Sequence, residues 1–347
     1  MTMDRVHIVS WLLTRKCNLK CSYCRIIRNY RDIPEEYPPI NNYHKNEMST
    51  EMVLKGLEGF KNHNPDSFHI LYGGEPLLRK DLPEIVHFCN TNSINYTIIT
   101  NNSDDVQPMI ENLLMKVNYV TGLTSSVDPI IFDKSASGDR LEKSISGLKK
   151  LIEFKGIVKD LVAEITVDNE TLPFLFPLVE KLTELDINSD ITFIDIAKSK
   201  YYDFSNVTDE SLLVKKSPEV QEQLKKIIDA GLNVHMAETL LPKIYLDLPS
   251  NMDCEIEKNI HNLTIDADGT IRLCLRIRGT ETPEKINLSN LFSKDWTLNP
   301  RLKPMLIRDK LHYCRLCNWT CPRMSEIISA YPDSIGSLVH ENNRKKN

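Results

Sequence analysis

Cys17, Cys21 and Cys24 form a C-x3-C-x2-C run directly after the first apolar stretch of the chain. Three thiolates at this spacing can hold three irons of a 4Fe–4S cluster. Electron-transfer clusters generally use four cysteines, so a set of three leaves the fourth iron without a protein ligand. An open position on a metal is where chemistry takes place. Zinc is the chemical rival, but it takes four ligands in structural sites. The histidines between Arg5 and Lys45 are His7 and His44, so no fourth ligand adjoins the run.

Five more cysteines fall in the last hundred residues: Cys254, Cys274, Cys314, Cys317 and Cys321. Within Asn262–Leu275, two apolar strands flank the turn Asp266-Ala267-Asp268-Gly269. This is a β-hairpin signal with glycine at the positive-φ position. Such a hairpin brings Cys254 and Cys274 within reach of one metal. Cys314, Cys317 and Cys321 add C-x2-C-x3-C. Zinc is a rival for this set, because C-x2-C pairs also bind it. A separate three-cysteine cluster at Cys314–Cys321 is a further reading, but it leaves Cys254 and Cys274 without a role. Cys89 lies on the apolar face of a helical pattern and reads as a small buried hydrophobe.

The elements that must carry these groups alternate along the chain. Val6–Leu13, Phe68–Tyr72, Tyr96–Thr100, Tyr119–Ser125, Leu161–Val167 and Ile191–Ile196 read as strands. Helical spacing appears at Leu82, Ile85, Val86 and Cys89, and again at Leu141, Ile145, Leu148 and Ile152. Val106–Val117 and Phe174–Leu185 complete the helices. Six strands alternating with helices predict parallel β/α units with right-handed crossovers, hence a partial (β/α)6 TIM-like barrel of α/β class. Active groups of such folds gather at the C-terminal ends of the strands. Cys17, Gly73-Gly74-Glu75-Pro76, Thr100-Asn101-Asn102 and Ser125-Ser126-Val127-Asp128 each follow a strand, so all four face one mouth. The two glycines let backbone approach backbone or ligand without obstruction, and Pro76 fixes the exit of its loop.

The run Cys17-Asn-Leu-Lys-Cys21-Ser-Tyr23-Cys24 resembles the signature of the radical S-adenosylmethionine (AdoMet) superfamily, and Gly73–Pro76 resembles its Gly-Gly-Glu-Pro motif. The resemblance extends from the first strand through Cys321. It implies that the amino and carboxylate groups of AdoMet chelate the open iron, with Tyr23 near the adenine. It implies that Gly73, Gly74, Glu75 and Pro76 bind the AdoMet ammonium. It also implies that Asn101, Ser125 and Asp128 contact its ribose, its carboxylate or the substrate, with Arg140 a further basic contact. Cys254, Gly269 and Cys274, as C-x14-G-x4-C, resemble the opening of the SPASM and Twitch auxiliary-cluster domains. A SPASM domain has seven cysteines and two clusters; with five, this chain is closer to the one-cluster Twitch form. That form implies a second 4Fe–4S cluster on Cys254, Cys274, Cys314 and Cys317. Cys321 either replaces Cys314 or remains as a spare thiol able to donate a hydrogen atom, as in some peptide epimerases.

The expected activity is reductive cleavage of AdoMet to a 5′-deoxyadenosyl radical and methionine, followed by hydrogen abstraction from a substrate. A flavodoxin- or ferredoxin-type reductant supplies the electron. The expected substrate is a peptide, in the manner of a ribosomal-peptide maturase. The alternatives are a small-molecule dehydrogenase or isomerase and, from another class, a non-catalytic redox carrier. The cysteines begin at residue 17, which leaves no preceding peptide-recognition domain and lowers the peptide reading.

Composition sets the outer limits. Hydrophobic residues make up 41% of the 347 and charged residues 26%, which suits a packed core. The formal net charge of −5 gives no overall field for nucleic acid. No apolar run reaches membrane-spanning length, and cluster thiols imply a cytoplasmic setting. The expected domains are the barrel over 1–235, an auxiliary-cluster hairpin and helix domain over 236–335, and a disordered tail over 336–347. Within the first, Arg25–Met48 is expected to be a substrate lid. It has few aliphatics, three prolines and the polar or aromatic Arg28, Tyr30, Arg31 and Tyr43, a composition that suits a functional loop.

Overall fold

The computed structural model describes residues 6–19, 47–127, 139–154, 156–169, 171–193, 218–234, 260–272 and 286–313. Eight strands lie in one sheet: β1 (Val6–Leu12), β2 (Phe68–Tyr72), β3 (Asn95–Thr100), β4 (Val120–Val127), β5 (Val158–Val167), β6 (Asn188–Phe193), β7 (Ile260–Ile265) and β8 (Ile271–Arg272). Their order is β6-β5-β4-β3-β2-β1-β7-β8. The first six run parallel, each beside its sequence neighbour. The helices are α1 (Thr50–His63), α2 (Leu82–Thr91), α3 (Gln107–Lys116), α4 (Asp139–Ile152), α5 (Leu175–Glu184), α6 (Pro218–Asp229) and α7 (Leu302–Tyr313). A single sense of crossover puts the helices that link consecutive strands on one face of the sheet. The result is a mostly parallel α/β sheet, barrel-like but not closed among the described residues, as the strand and helix alternation predicts.

Period-two alternation decides what each face touches. Val9, Trp11, Leu13, Leu71, Ile98, Leu123, Ala163, Ile165 and Leu263 are buried in one cluster with Val53, Leu57 and Phe60 of α1 and with Ile85, Ile110, Leu148, Val179 and Leu224 of the later helices. Trp11 meets Phe60 edge-on at 5.8 Å and donates its Nε1–H to His69 Nδ1 at 2.9 Å. His69 Nε2 then faces Ser67 Oγ at 3.0 Å, and burial pushes the imidazole pKa down to about 3. The neutral ring with its proton on Nε2 satisfies both partners. Truncating Phe60 to alanine would cost roughly 3–5 kcal/mol.

The opposite face is mixed: apolar residues such as Leu12, Ile70 and Ile99 lie on β1 to β3, and polar residues gather toward β4 to β6. The strand register aligns Ser10 with Thr264, Thr97 with Gly122, Thr124 with Val162, Ser126 with Glu164, Glu164 with Asp190, and Thr166 with Thr192. Parallel strands apolar on both faces read as continuous apolar runs. Here the alternation marks a polar patch on the β4–β6 side of the inner surface.

The structure differs from the sequence expectations at particular elements. β6 starts at Asn188, three residues before the expected Ile191. Its polar start is held by Val162 opposite Asn188 and by the Ser189 N–H on Asn233 O at 2.9 Å. The periodicity named no helix at α1 or α6, although Val53, Leu57 and Phe60, and Val220, Leu224 and Ile227, line their buried faces. The expected hairpin exists as β7 and β8, with Gly269 at φ +83. β7 lies within the main sheet, parallel to β1. The expected 235/236 domain boundary falls outside the described residues, as do most of the expected lid and the C-terminal tail.

Candidate functional site

The β1–β2 ladder continues beyond both strands. Leu13 N–H donates to Tyr72 O, Gly74 N–H to Thr14 O and Glu75 N–H to Lys16 O, each at 2.7 Å. These bonds zip the first cysteine loop onto Gly73–Glu75. A Cβ on Gly73 would lie 2.4 Å from Thr14 O, and one on Gly74 would lie 2.2 Å from Lys16 O. No side chain fits there, so the two glycines let two backbones touch.

Glu75 is fully buried. Its carboxylate accepts from the Asn101 N–H at 2.8 Å, the Leu77 N–H at 3.1 Å and the Thr100 hydroxyl at 3.1 Å. Burial pushes its pKa up to about 7, against the pull of those donors. The Asn101 amide in turn donates to Asn18 Oδ1 at 2.9 Å and points at Cys17 Sγ from 3.7 Å. Asn18 reaches Ser103 Oγ at 2.8 Å, and the Leu19 N–H approaches Cys17 Sγ at 3.4 Å. Cys17 is half-buried, with two N–H groups directed at its sulfur. Such donors favour a thiolate, and hydrogen bonds to sulfur tune a bound cluster. The residues present therefore fit a cluster ligand at Cys17.

The ends of β1, β2 and β3 thus come together, with Cys17, Gly73, Gly74, Glu75 and Asn101 in one bonded unit. Pro76 is buried at the start of a 3-10 turn, Pro76–Leu78. Ser125 is not brought into this unit. It is fully buried on the helix-facing side of β4, whereas its neighbour Ser126 is half-buried on the inner face. Arg140 lies in the first turn of α4, and its side chain is outside the described residues. Tyr23, Cys21, Cys24, Asp128, Cys254, Cys274, Cys314, Cys317 and Cys321 also lie outside them. Cys89 is buried in α2, and burial pushes its thiol up to about 12, in keeping with a core role.

Several residues around the mouth were not singled out from the sequence. Glu47, at the end of the expected lid, accepts from the Thr14 hydroxyl at 2.8 Å and the Arg15 N–H at 2.9 Å. Arg79 donates to Leu13 O at 2.8 Å and Met48 O at 3.1 Å while paired with Asp81 at 2.5 Å. Arg15 and Arg272 both pair with Asp266. On the inner face, burial and the neighbouring Asp190 push Glu164 up to about 7. The available signal was a charge inside an apolar strand, as in Leu161–Val167, or directly beside a cysteine run, as at Arg15.

Comparisons with known proteins agree with this geometry. Residues 11–170, just under half of the chain, match the family model of the Radical SAM superfamily. The GTP 3',8-cyclase of Vibrio atlanticus (strain LGP32) is 24% identical over 289 residues, 78% of this chain and 80% of the relative. That of Actinobacillus pleuropneumoniae serotype 3 (strain JL03) is 25% identical over 318 residues, 87% of this chain and 86% of the relative. Among solved structures, Streptococcus suis SuiB bound to S-adenosylmethionine superposes with a TM-score of 0.57 at 15% identity, covering 86% of this chain and 67% of that one. The protein anSMEcpe with bound AdoMet and Cp18Cys peptide gives 0.56 at 14% identity, covering 99% and 100%. The structural likenesses carry the fold, and the family match supports the radical SAM superfamily for the stretch from β1 to the turn after β5. Among the described residues no helix is long and apolar enough to cross a membrane.

Proposed function

We propose that this chain is a radical AdoMet enzyme, with Cys17, Cys21 and Cys24 holding a 4Fe–4S cluster whose open iron takes AdoMet. The observation that carries this reading is the bonded unit at the mouth, where Cys17 receives two N–H donors and its loop is zipped to Gly73–Glu75. When bound, the cluster and AdoMet supply a 5′-deoxyadenosyl radical that takes a hydrogen atom from the substrate. The chain's own part is positional. Gly73 and Gly74 admit the cysteine loop, Glu75 ties the β2 and β3 ends together, and Asn101 orients Asn18 and Cys17. Tyr23, Asp128 and Arg140 remain proposed AdoMet contacts by resemblance; Ser125, buried on the helix-facing side of β4, is not placed for that contact.

The proposed substrate is a small molecule. Relatives named GTP 3',8-cyclase share sequence with this chain over 78–87% of its length, which weighs more than fold likeness to a peptide-bound neighbour at 14% identity. The polar patch on the inner face, with Ser126, Glu164, Thr166 and Thr192, suits a polar ligand. A second 4Fe–4S cluster on Cys254, Cys274, Cys314 and Cys317, with Cys321 as the replacement or spare thiol, is part of the proposal. So is a flavodoxin- or ferredoxin-type reductant.

Anaerobically reconstituted protein should hold about eight irons, from two four-iron clusters. With dithionite and AdoMet it should release 5′-deoxyadenosine and methionine. GTP should raise that release, or yield a new product, more than an unstructured peptide does. AdoMet cleavage stimulated by peptide alone would return the substrate to the peptide class, and no cleavage at all would leave a redox carrier.

A further inference from the structure

We infer that Asp266 is a positioning residue for the first cysteine loop, acting through Arg15. The inference rests on the radical AdoMet reading and adds to it the residue that links the loop to the β7–β8 hairpin. Asp266 sits at the head of the hairpin turn and is buried. One carboxylate oxygen pairs with Arg15 Nη2 and also accepts the Ala267 N–H at 2.7 Å; the other pairs with Arg272 Nη2 at 2.6 Å. The Arg15 side chain is 3% exposed and that of Arg272 18%.

The placement in sequence gives this contact its meaning. Arg15 stands two residues before Cys17, and Arg272 stands two residues before Cys274. One carboxylate therefore joins the segments that lead into the two expected cysteine sets. The Arg15 backbone is already held from the other side, by Glu47 on its own N–H and by Gly74 and Glu75 on the flanking carbonyls. Asp266 fixes its side chain, so the direction in which the chain leaves β1 toward Cys17 is set from both sides. The planar guanidinium fork suits this bridging better than a flexible ammonium. Removing one partner of a buried ion pair leaves the remaining charge less well compensated and favours its movement toward water. The Arg15 side chain would then draw its loop with it. Partners bonded directly to metal ligands typically carry about 10–100-fold in metal affinity; Asp266 acts one step further out, so its effect falls at the low end of that range.

The test uses the full reconstituted chain and reads the cluster itself. In Asp266→Asn, iron loss to a chelator should be about tenfold faster, and the AdoMet-induced change in the EPR spectrum of the reduced protein should be altered or lost. Asp266→Glu should restore part of both. Arg15→Lys, which keeps the charge and loses the fork, should change iron release in the same direction and serves if Asp266→Asn does not fold. A purely structural Asp266 would lower the melting temperature yet leave iron release and the EPR response as in the wild type, and that result overturns the inference. A wild-type protein without any AdoMet-responsive EPR signal overturns the radical AdoMet reading instead.

Discussion

Glu75, in the loop after β2, and Glu164, on β5, are two carboxyls pushed up to about the same value, near 7, first by burial but beside different partners. Glu75 is raised by burial against two backbone N–H groups and a hydroxyl that pull it down. Glu164 is raised by burial and then by Asp190, with Thr192 as the opposing donor. The first carboxyl is saturated with partners from its own chain and holds the β2 and β3 ends in place. The second meets a like charge across β6 and lies in the polar patch of the sheet. A similar pKa thus goes with a carboxyl that ties two strand ends together in one region and with one on the inner face of β5 in the other. The partners, and not the value, tell them apart.

The largest expected break in that comparison is Glu75→Ala. It strips the acceptor from the Asn101 and Leu77 N–H groups and from the Thr100 hydroxyl, all in buried surroundings. Each orphaned donor costs about 1–3 kcal/mol, so chemical denaturation should show a loss of several kcal/mol and the Cys17 loop should lose its iron. Glu164→Ala removes no such staple. It should leave iron content near wild type while substrate-stimulated AdoMet cleavage falls.

A smaller effect follows from pH. A carboxyl whose pKa is higher in the folded chain than its ordinary 4.5 holds its proton more tightly when folded. Its contribution to stability is full below about 4.5 and is lost as pH rises to about 7. For Glu75 the shift corresponds to roughly 3 kcal/mol. Denaturation midpoints measured from pH 4.5 to 8 should fall with rising pH, and Glu75→Gln should flatten about half of that slope, because Glu164 carries a shift of the same size. A wild-type slope of the opposite sign would show that the Glu75 donors outweigh its burial.

The smallest expected change sharpens the contrast. Asp190→Asn removes the like charge beside Glu164 and should lower the Glu164 pKa part of the way toward 4.5, while Glu75 stays where it is. NMR titration of the two side-chain carboxyl carbons would show this. If both pKa values moved together, the two regions would be coupled through the sheet and the distinction would fail.

What could be read in the sequence follows from the range of the interaction involved. β2 was expected at Phe68–Tyr72 and is found there, because a short apolar and aromatic run bounded by Asp66-Ser67 and Gly73-Gly74 carries its own signal. The mouth could be read because each motif follows a strand. Local patterns do not reveal partners far along the chain. Glu75 was read as a cofactor contact, yet its carboxylate bonds to Thr100 and Asn101, some 25 residues on. Arg15 and Asp266 are 251 residues apart, and no periodicity joins them. Ser125 and Ser126 show a finer limit. One register step decides which of two serines faces the helices, and the expected strand end at Ser125 left that step open. β6 was placed late because its first residues are polar, and their burial depends on β5 and on Asn233.

The central claim is that the loop after β1 carries a cluster with an open iron. EPR spectroscopy of anaerobically reconstituted, dithionite-reduced protein, with and without AdoMet, tests it most directly. The account predicts a 4Fe–4S signal whose line shape shifts on adding AdoMet. In Cys17→Ala that AdoMet-responsive component should disappear, while any signal from the second cysteine set remains. A wild-type spectrum unmoved by AdoMet, or a Cys17→Ala variant that keeps the AdoMet-responsive signal, would contradict it.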